Sequence, residues 1–79
     1  METKELERKD LDSNGSISLP RLLTLIGIEC SMSNARRSIE GGGVKVDGIT
    51  ETDPRKMIQV SDQMIVQAGK QKRVRIFPS

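Results

Sequence analysis

Apolar positions change their spacing along the chain, and the changes mark out its elements. Leu6 and Leu11 stand alone among the charged residues of 1–12 and form no stripe. From Leu19 the spacing becomes helical. Leu19, Leu22, Leu23 and Ile26 recur at three and four residues, which predicts one buried helical face. Ser18 stands at the cap position, Pro20 suits the first turn, and Gly27 is a natural stop. A second helix is predicted over 34–40, capped by Ser33, with Ala35 and Ile39 four apart on its core side. After Gly41-Gly42-Gly43 the period becomes two. Val44-Lys45-Val46 alternates as a half-buried strand. Asp47-Gly48 is a two-residue hairpin signal, and Ile49-Thr50-Glu51 returns beside the first strand. Met57, Ile58 and Val60 form a short apolar piece, and 64–67 reads as another strand. The last strand is 72–77, where Val74 and Ile76 alternate with Arg73 and Arg75 before Pro78 ends it.

This order gives an α+β fold: two short helices packed on a small, mostly antiparallel sheet. Asp12-Ser13-Asn14-Gly15-Ser16 is a linker signal. Residues 1–16 are therefore read as a mobile charged leader, and 17–79 as the folded domain. A chain of 79 residues has room for one domain and one thin core.

Charge sharpens the picture. The chain carries +2, with 13 basic and 11 acidic residues. Residues 1–12 hold five acidic against three basic residues, whereas 18–79 hold ten basic against six acidic, so the body is at +4. A basic small domain fits a polyanionic partner. Its cations fall in three groups: Arg36 and Arg37 on the second helix, Lys45 on the hairpin, and Lys70, Lys72, Arg73 and Arg75 near the end. Arg36 and Arg37 are expected in the first turn of their helix. Cations oppose the macrodipole there, and an anionic partner would give both a use. A surface Arg36–Glu40 pair is the structural alternative.

Other chemistry finds little support. There is no His, Trp or Tyr, and Phe77 is the sole aromatic. A Ser-His or Cys-His nucleophile is therefore excluded, and so is a stacking platform for unpaired bases. A nucleic-acid partner would have to be read through phosphates, riboses and shape. No stretch has metal-ligand spacing, no cofactor is implied, and Glu29 and Asp62 have no recognisable partner. Asp47 and Asp53 are explained by turn chemistry. The glycine run leaves a helix, the reverse of a phosphate loop. Cys30, the only cysteine, fits a reducing compartment and is expected to be a small buried hydrophobe.

Ser31-Met32-Ser33-Asn34-Ala35-Arg36-Arg37-Ser38-Ile39, followed by Gly42-Gly43-Val44-Lys45-Val46-Asp47-Gly48, resembles the alpha-L motif of the RNA-binding domain named for ribosomal protein S4. Ile17-Ser18-Leu19, Thr52-Asp53-Pro54, and the run from Val66 through Gly69, Lys70 and Gln71 to Arg73 look like the version at the C-terminus of bacterial-type tyrosine–tRNA ligases. The likeness covers roughly 16–77. Asn34 stands where the family often has Glu, and Gln71 interrupts a run that is often wholly basic. The resemblance implies a cytoplasmic, non-catalytic domain that docks structured RNA, most naturally tRNA. Its phosphate contacts would come from Arg36, Arg37, Lys45, Lys70, Lys72 and Arg73. The catalytic signatures of such a ligase, His-Ile-Gly-His and Lys-Met-Ser-Lys-Ser, are not in this chain, so aminoacylation would belong to a parent protein. Two other readings stay open. One is an rRNA-binding module of a ribosome-associated protein or rRNA-modifying enzyme. The other is a basic protein-interaction module.

Overall fold

Helix α1, Leu19–Leu25, forms where the sequence places it, because its leucines need one common face. Leu19, Leu22 and Leu23 are fully buried, and Ile26 just beyond is nearly so. Ser18 occupies the cap position with extended backbone, but its side chain makes no capping hydrogen bond. Gly27 ends the helix at φ +81°. The Ile28 N–H reaches the Leu23 carbonyl (3.0 Å) and the Gly27 N–H the Thr24 carbonyl (3.2 Å), the paired bonds of a Schellman turn. Ile28 and Leu23 are both buried, giving the turn its apolar contact.

The computed structural model describes residues 2–69 and 72–78. Helix α2 spans Met32–Glu40 and starts two residues earlier than expected. Its cap is Ser31, whose hydroxyl accepts the Asn34 N–H at 3.2 Å; Ser33 lies inside the helix. Either serine could serve as a cap. Ala35 and Ile39, four apart on one face of the helix, are both at zero exposure. A second Schellman turn closes α2. Gly43 donates to the Ser38 carbonyl and Gly42, at φ +76°, to the Ile39 carbonyl, both at 3.0 Å.

Five strands form the main sheet: β1 (Glu2–Leu6), β3 (Val44–Val46), β4 (Ile49–Glu51), β6 (Met64–Ala68) and β7 (Lys72–Pro78). Their order is β1-β7-β6-β3-β4, antiparallel except that β1 runs parallel to β7. Strands β2 (Ser16–Ser18) and β5 (Met57–Gln59) pair separately, with Ile17 opposite Ile58. The β3–β4 turn has Asp47 at φ 52° and Gly48 at φ 83°. Both positive values are what a two-residue hairpin of this twist requires. Asp47 also joins the sheet to its neighbour. Its N–H donates to the Ile65 carbonyl (2.8 Å), and its Oδ1 accepts the Ile65 N–H (2.9 Å).

The core is one cluster. Leu19, Leu22, Leu23, Ala35 and Ile39 of the helices meet Val44, Val66, Val74 and Ile76 of the sheet. Among the described residues every buried side chain is apolar.

The leader departs from its expected role. Residues 2–6 form an edge strand of the main sheet, and Leu6 is 3% exposed within the core cluster. Leu11 packs against that cluster, and a 3-10 turn, Arg8–Asp10, joins the two. One leucine at a strand end needs no periodic stripe, so hydrophobic spacing alone does not reveal it. The linker signal at 12–16 is a tight turn of the domain. Asp12 Oδ1 accepts the N–H groups of Asn14 (2.8 Å) and Ser16 (2.9 Å), and the Gly15 carbonyl accepts the Val60 N–H. Cys30 is exposed and not the buried hydrophobe expected, while Ile28 and Ala35 on either side of it are buried. No helix among the described residues is long and apolar enough to cross a membrane.

Candidate nucleic-acid interface

Helix α2 sets the first part of the site. Ala35 and Ile39 point into the core, so the intervening Arg36 and Arg37 face outward, and both are exposed. Because the helix begins at Met32, Arg36 is its central residue and Arg37 lies in the last turn. A cation is favoured at that end, so the dipole conflict expected for a first-turn pair does not arise. Among the described residues the ion pairs are Lys4–Glu2, Lys9–Glu7 and Lys56–Glu51. Arg36 and Glu40 are thus not paired, and both arginines keep their guanidinium donors free of carboxylates.

One helical step separates the two arginines by about 100°, and they face different neighbours. Arg36 shares its side with Met32 and Glu40, opposite Pro54 and Arg55 of the β4–β5 loop. Arg37 lines a cleft with Glu29 and Ser38, bounded by Gly43, Gly69 and Lys72. The Lys72 ammonium donates to the Ile28 carbonyl at 3.1 Å, which fixes it beside the α1–α2 connection. Two of its three donors remain for a ligand. Glu29, which had no evident partner in the sequence, accepts the Ser38 hydroxyl at 2.9 Å.

The other cations lie on the face of the main sheet opposite the core. Register places Lys45 beside Gln67 and Gln67 beside Arg73, a polar row across β3, β6 and β7. Arg75 follows two residues on, opposite Ile65 and beside Thr3 of β1. Lys45, Arg73 and Arg75 are all exposed. Lys70 lies outside the described residues. The structure therefore joins Arg37 to Lys72, Arg36 to Arg55, and Lys45 to Arg73. Arg75 belongs to the C-terminal cation group evident in the sequence, though it was not among the expected phosphate contacts, whereas nothing in the sequence marked Arg55 or Glu29 as part of a site. Nothing in the sequence around Glu29 signals its bond to Ser38.

Residues 18–64, which hold the capped helix with outward arginines, the glycine-closed turn and the two-residue hairpin, match the S4 domain. The chain belongs to the S4 domain family. It is similar to tyrosine–tRNA ligases of several bacteria. That of Moorella thermoacetica is 45% identical over 58 residues, covering 73% of this chain and 14% of the relative. That of Nitrosomonas europaea is 37% identical over 70 residues, covering 89% and 17%. That of Deinococcus radiodurans is 33% identical over 70 residues, covering 85% and 17%. The chain spans about a sixth of the length of these relatives.

Proposed function

We propose that this domain binds structured RNA without catalysing a reaction, and that its RNA is tRNA. It would serve as the tRNA-docking part of a cytoplasmic tyrosine–tRNA ligase. Residues 1–16 belong, in this reading, to the RNA-binding body through β1. The observation that carries the proposal is the pair Arg36 and Arg37, exposed and, among the described residues, without a carboxylate partner, on a helix whose neighbouring residues Ala35 and Ile39 are fully buried. Guanidinium groups suit bidentate phosphate contact. Lys72 extends the Arg37 side, and Lys45 and Arg73 add a second cationic surface. Lys70 adds charge by its place in sequence. The similarity to tyrosine–tRNA ligases supports tRNA over other structured RNAs. Docking would orient the tRNA body, including its variable arm and anticodon stem, for a catalytic domain elsewhere in a parent protein.

The test is tRNA titration into the parent and into Arg36→Ala plus Arg37→Ala at two salt concentrations. Affinity should fall tenfold or more, about 1.4 kcal/mol. The salt dependence should become shallower, since fewer counterions are displaced. Stability should stay within about 1 kcal/mol, as for other surface changes. Short unpaired oligonucleotides should compete poorly. Unchanged affinity and slope would remove α2 from the interface. Equal binding of unpaired oligonucleotides and folded tRNA would overturn the reading altogether.

A further inference from the structure

The cleft beside Arg37 contains a carboxylate, which a site for phosphate alone would not favour. Glu29 lines it together with Arg37 and Lys72, and an acid placed there repels the phosphates those cations attract. Its position is nevertheless fixed. The Ser38 hydroxyl donates to Oε1 at 2.9 Å, and Glu29 is half-buried. Among the described residues neither Arg37 nor Lys72 forms an ion pair with it, so its second oxygen is not taken by either. Gly43 and Gly69 line the other side of the cleft. At Gly69 a Cβ would meet nothing within 4 Å, so the space reaches the backbone.

The geometry points to Glu29 as a reader of the ribose 2′-hydroxyl. This inference rests on the RNA-binding reading and adds a specificity to it. A sugar–phosphate strand is a convex ridge whose anionic groups alternate with hydroxyl donors. In this cleft, phosphates on either side of one ribose meet Arg37 and Lys72, and the 2′-hydroxyl between them donates to Glu29. The Ser38 bond to one oxygen holds the carboxylate so that the other faces the strand. This arrangement explains an acid among cations. With RNA the carboxylate gains a donor. With a backbone lacking the hydroxyl it is left facing phosphates with nothing to accept, and binding is penalised. The 2′-hydroxyl, as donor and acceptor, is the group that separates RNA from DNA at a given site. No aromatic platform is needed, which suits a chain with one aromatic residue.

The experiment compares a tRNA transcript with the same transcript built from 2′-fluoro nucleotides, which keep A-form sugar pucker but cannot donate. Each is titrated into the parent, Glu29→Ala, and the shape-conserving Glu29→Gln. The parent should prefer the hydroxyl form by about tenfold, the size of one hydrogen bond to a charged acceptor. Glu29→Ala should bring the ratio to within about twofold of unity, mainly by binding the 2′-fluoro form more tightly. Glu29→Gln should fall between them. General damage to the transcript by fluorination affects all three proteins alike and cancels in the comparison. The same hydroxyl/fluoro ratio in all three proteins would overturn the role of Glu29 while leaving tRNA binding through Arg36 and Arg37 intact. Failure of the parent to bind either transcript would overturn both.

Discussion

Truncating Leu6 to Ala tests whether the N-terminal strand is part of the folded body. Leu6 is the sole buried residue of β1. It is 3% exposed, while residues 2–5 are all exposed. It pairs in register with Pro78 at the sheet edge and joins the same cluster as Ile76 and Ile17. Leu→Ala in a core typically loses 2–5 kcal/mol through lost transfer energy and residual cavity. An edge position that solvent and backbone can partly refill belongs in the lower half, so about 3 kcal/mol is expected. For a chain of this length total stability is on the order of 4–12 kcal/mol. The loss is therefore a large share of it, and Tm should fall by roughly 12–24 °C. Thermal and urea unfolding followed by circular dichroism would measure both. Glu5→Ala, exposed on the same strand, is the control and should stay within about 0.5 kcal/mol. Deleting residues 2–11 should destabilise at least as much as Leu6→Ala. A Leu6→Ala protein within 0.5 kcal/mol of the parent, with the deletion equally mild, would show that β1 contributes nothing to the fold and that the domain starts after the Asp12–Ser16 turn.

Two further changes probe local geometry. Ser31→Ala should lose about 1 kcal/mol, because the hydroxyl caps α2, whereas Ser33→Ala should be close to neutral; equal effects in urea unfolding would contradict the observed start of the helix. Gly42→Ala places a Cβ at φ +76° and should lose about 1 kcal/mol or more with no change in the hydroxyl/fluoro ratio at Glu29, so a stable Gly42→Ala protein would argue against the Schellman turn.

Much of the fold was legible because it is local. Leu19, Leu22 and Leu23 announce α1 by spacing alone, and Gly27 and Asp47-Gly48 mark turns whose backbone angles few other residues tolerate. The outward placement of Arg36 and Arg37 follows from Ala35 and Ile39 pointing inward, a consequence of helical period. The cap of α2 lies two residues before the expected one, since Ser31 and Ser33 are both cap-type residues, either start leaves Ala35 and Ile39 on one face, and only the Asn34 N–H bond to the Ser31 hydroxyl identifies the cap. The earlier start also reverses the dipole argument for Arg37 and removes it for Arg36, the central residue of the helix. Cys30 was misplaced because an apolar neighbourhood in sequence does not imply burial in a loop, where consecutive residues can point to opposite sides.

By itself, then, the sequence determined the helices, the hairpin, the basic character of the body and the α2 arginines. These depend on sterics, hydrogen bonding and periodicity over a few residues. Only the tertiary structure decided that β1 closes the sheet edge in parallel with β7, because this pairing joins opposite ends of the chain and is signalled by one leucine in a charged segment. It alone also set Arg37 and Lys72 in one cleft with Glu29, and Lys45 beside Gln67 and Arg73 on the open face. The order of strands in a sheet and the partners of a cleft depend on contacts between distant segments. Their energy appears only once those segments meet, and it leaves no periodic trace in either one.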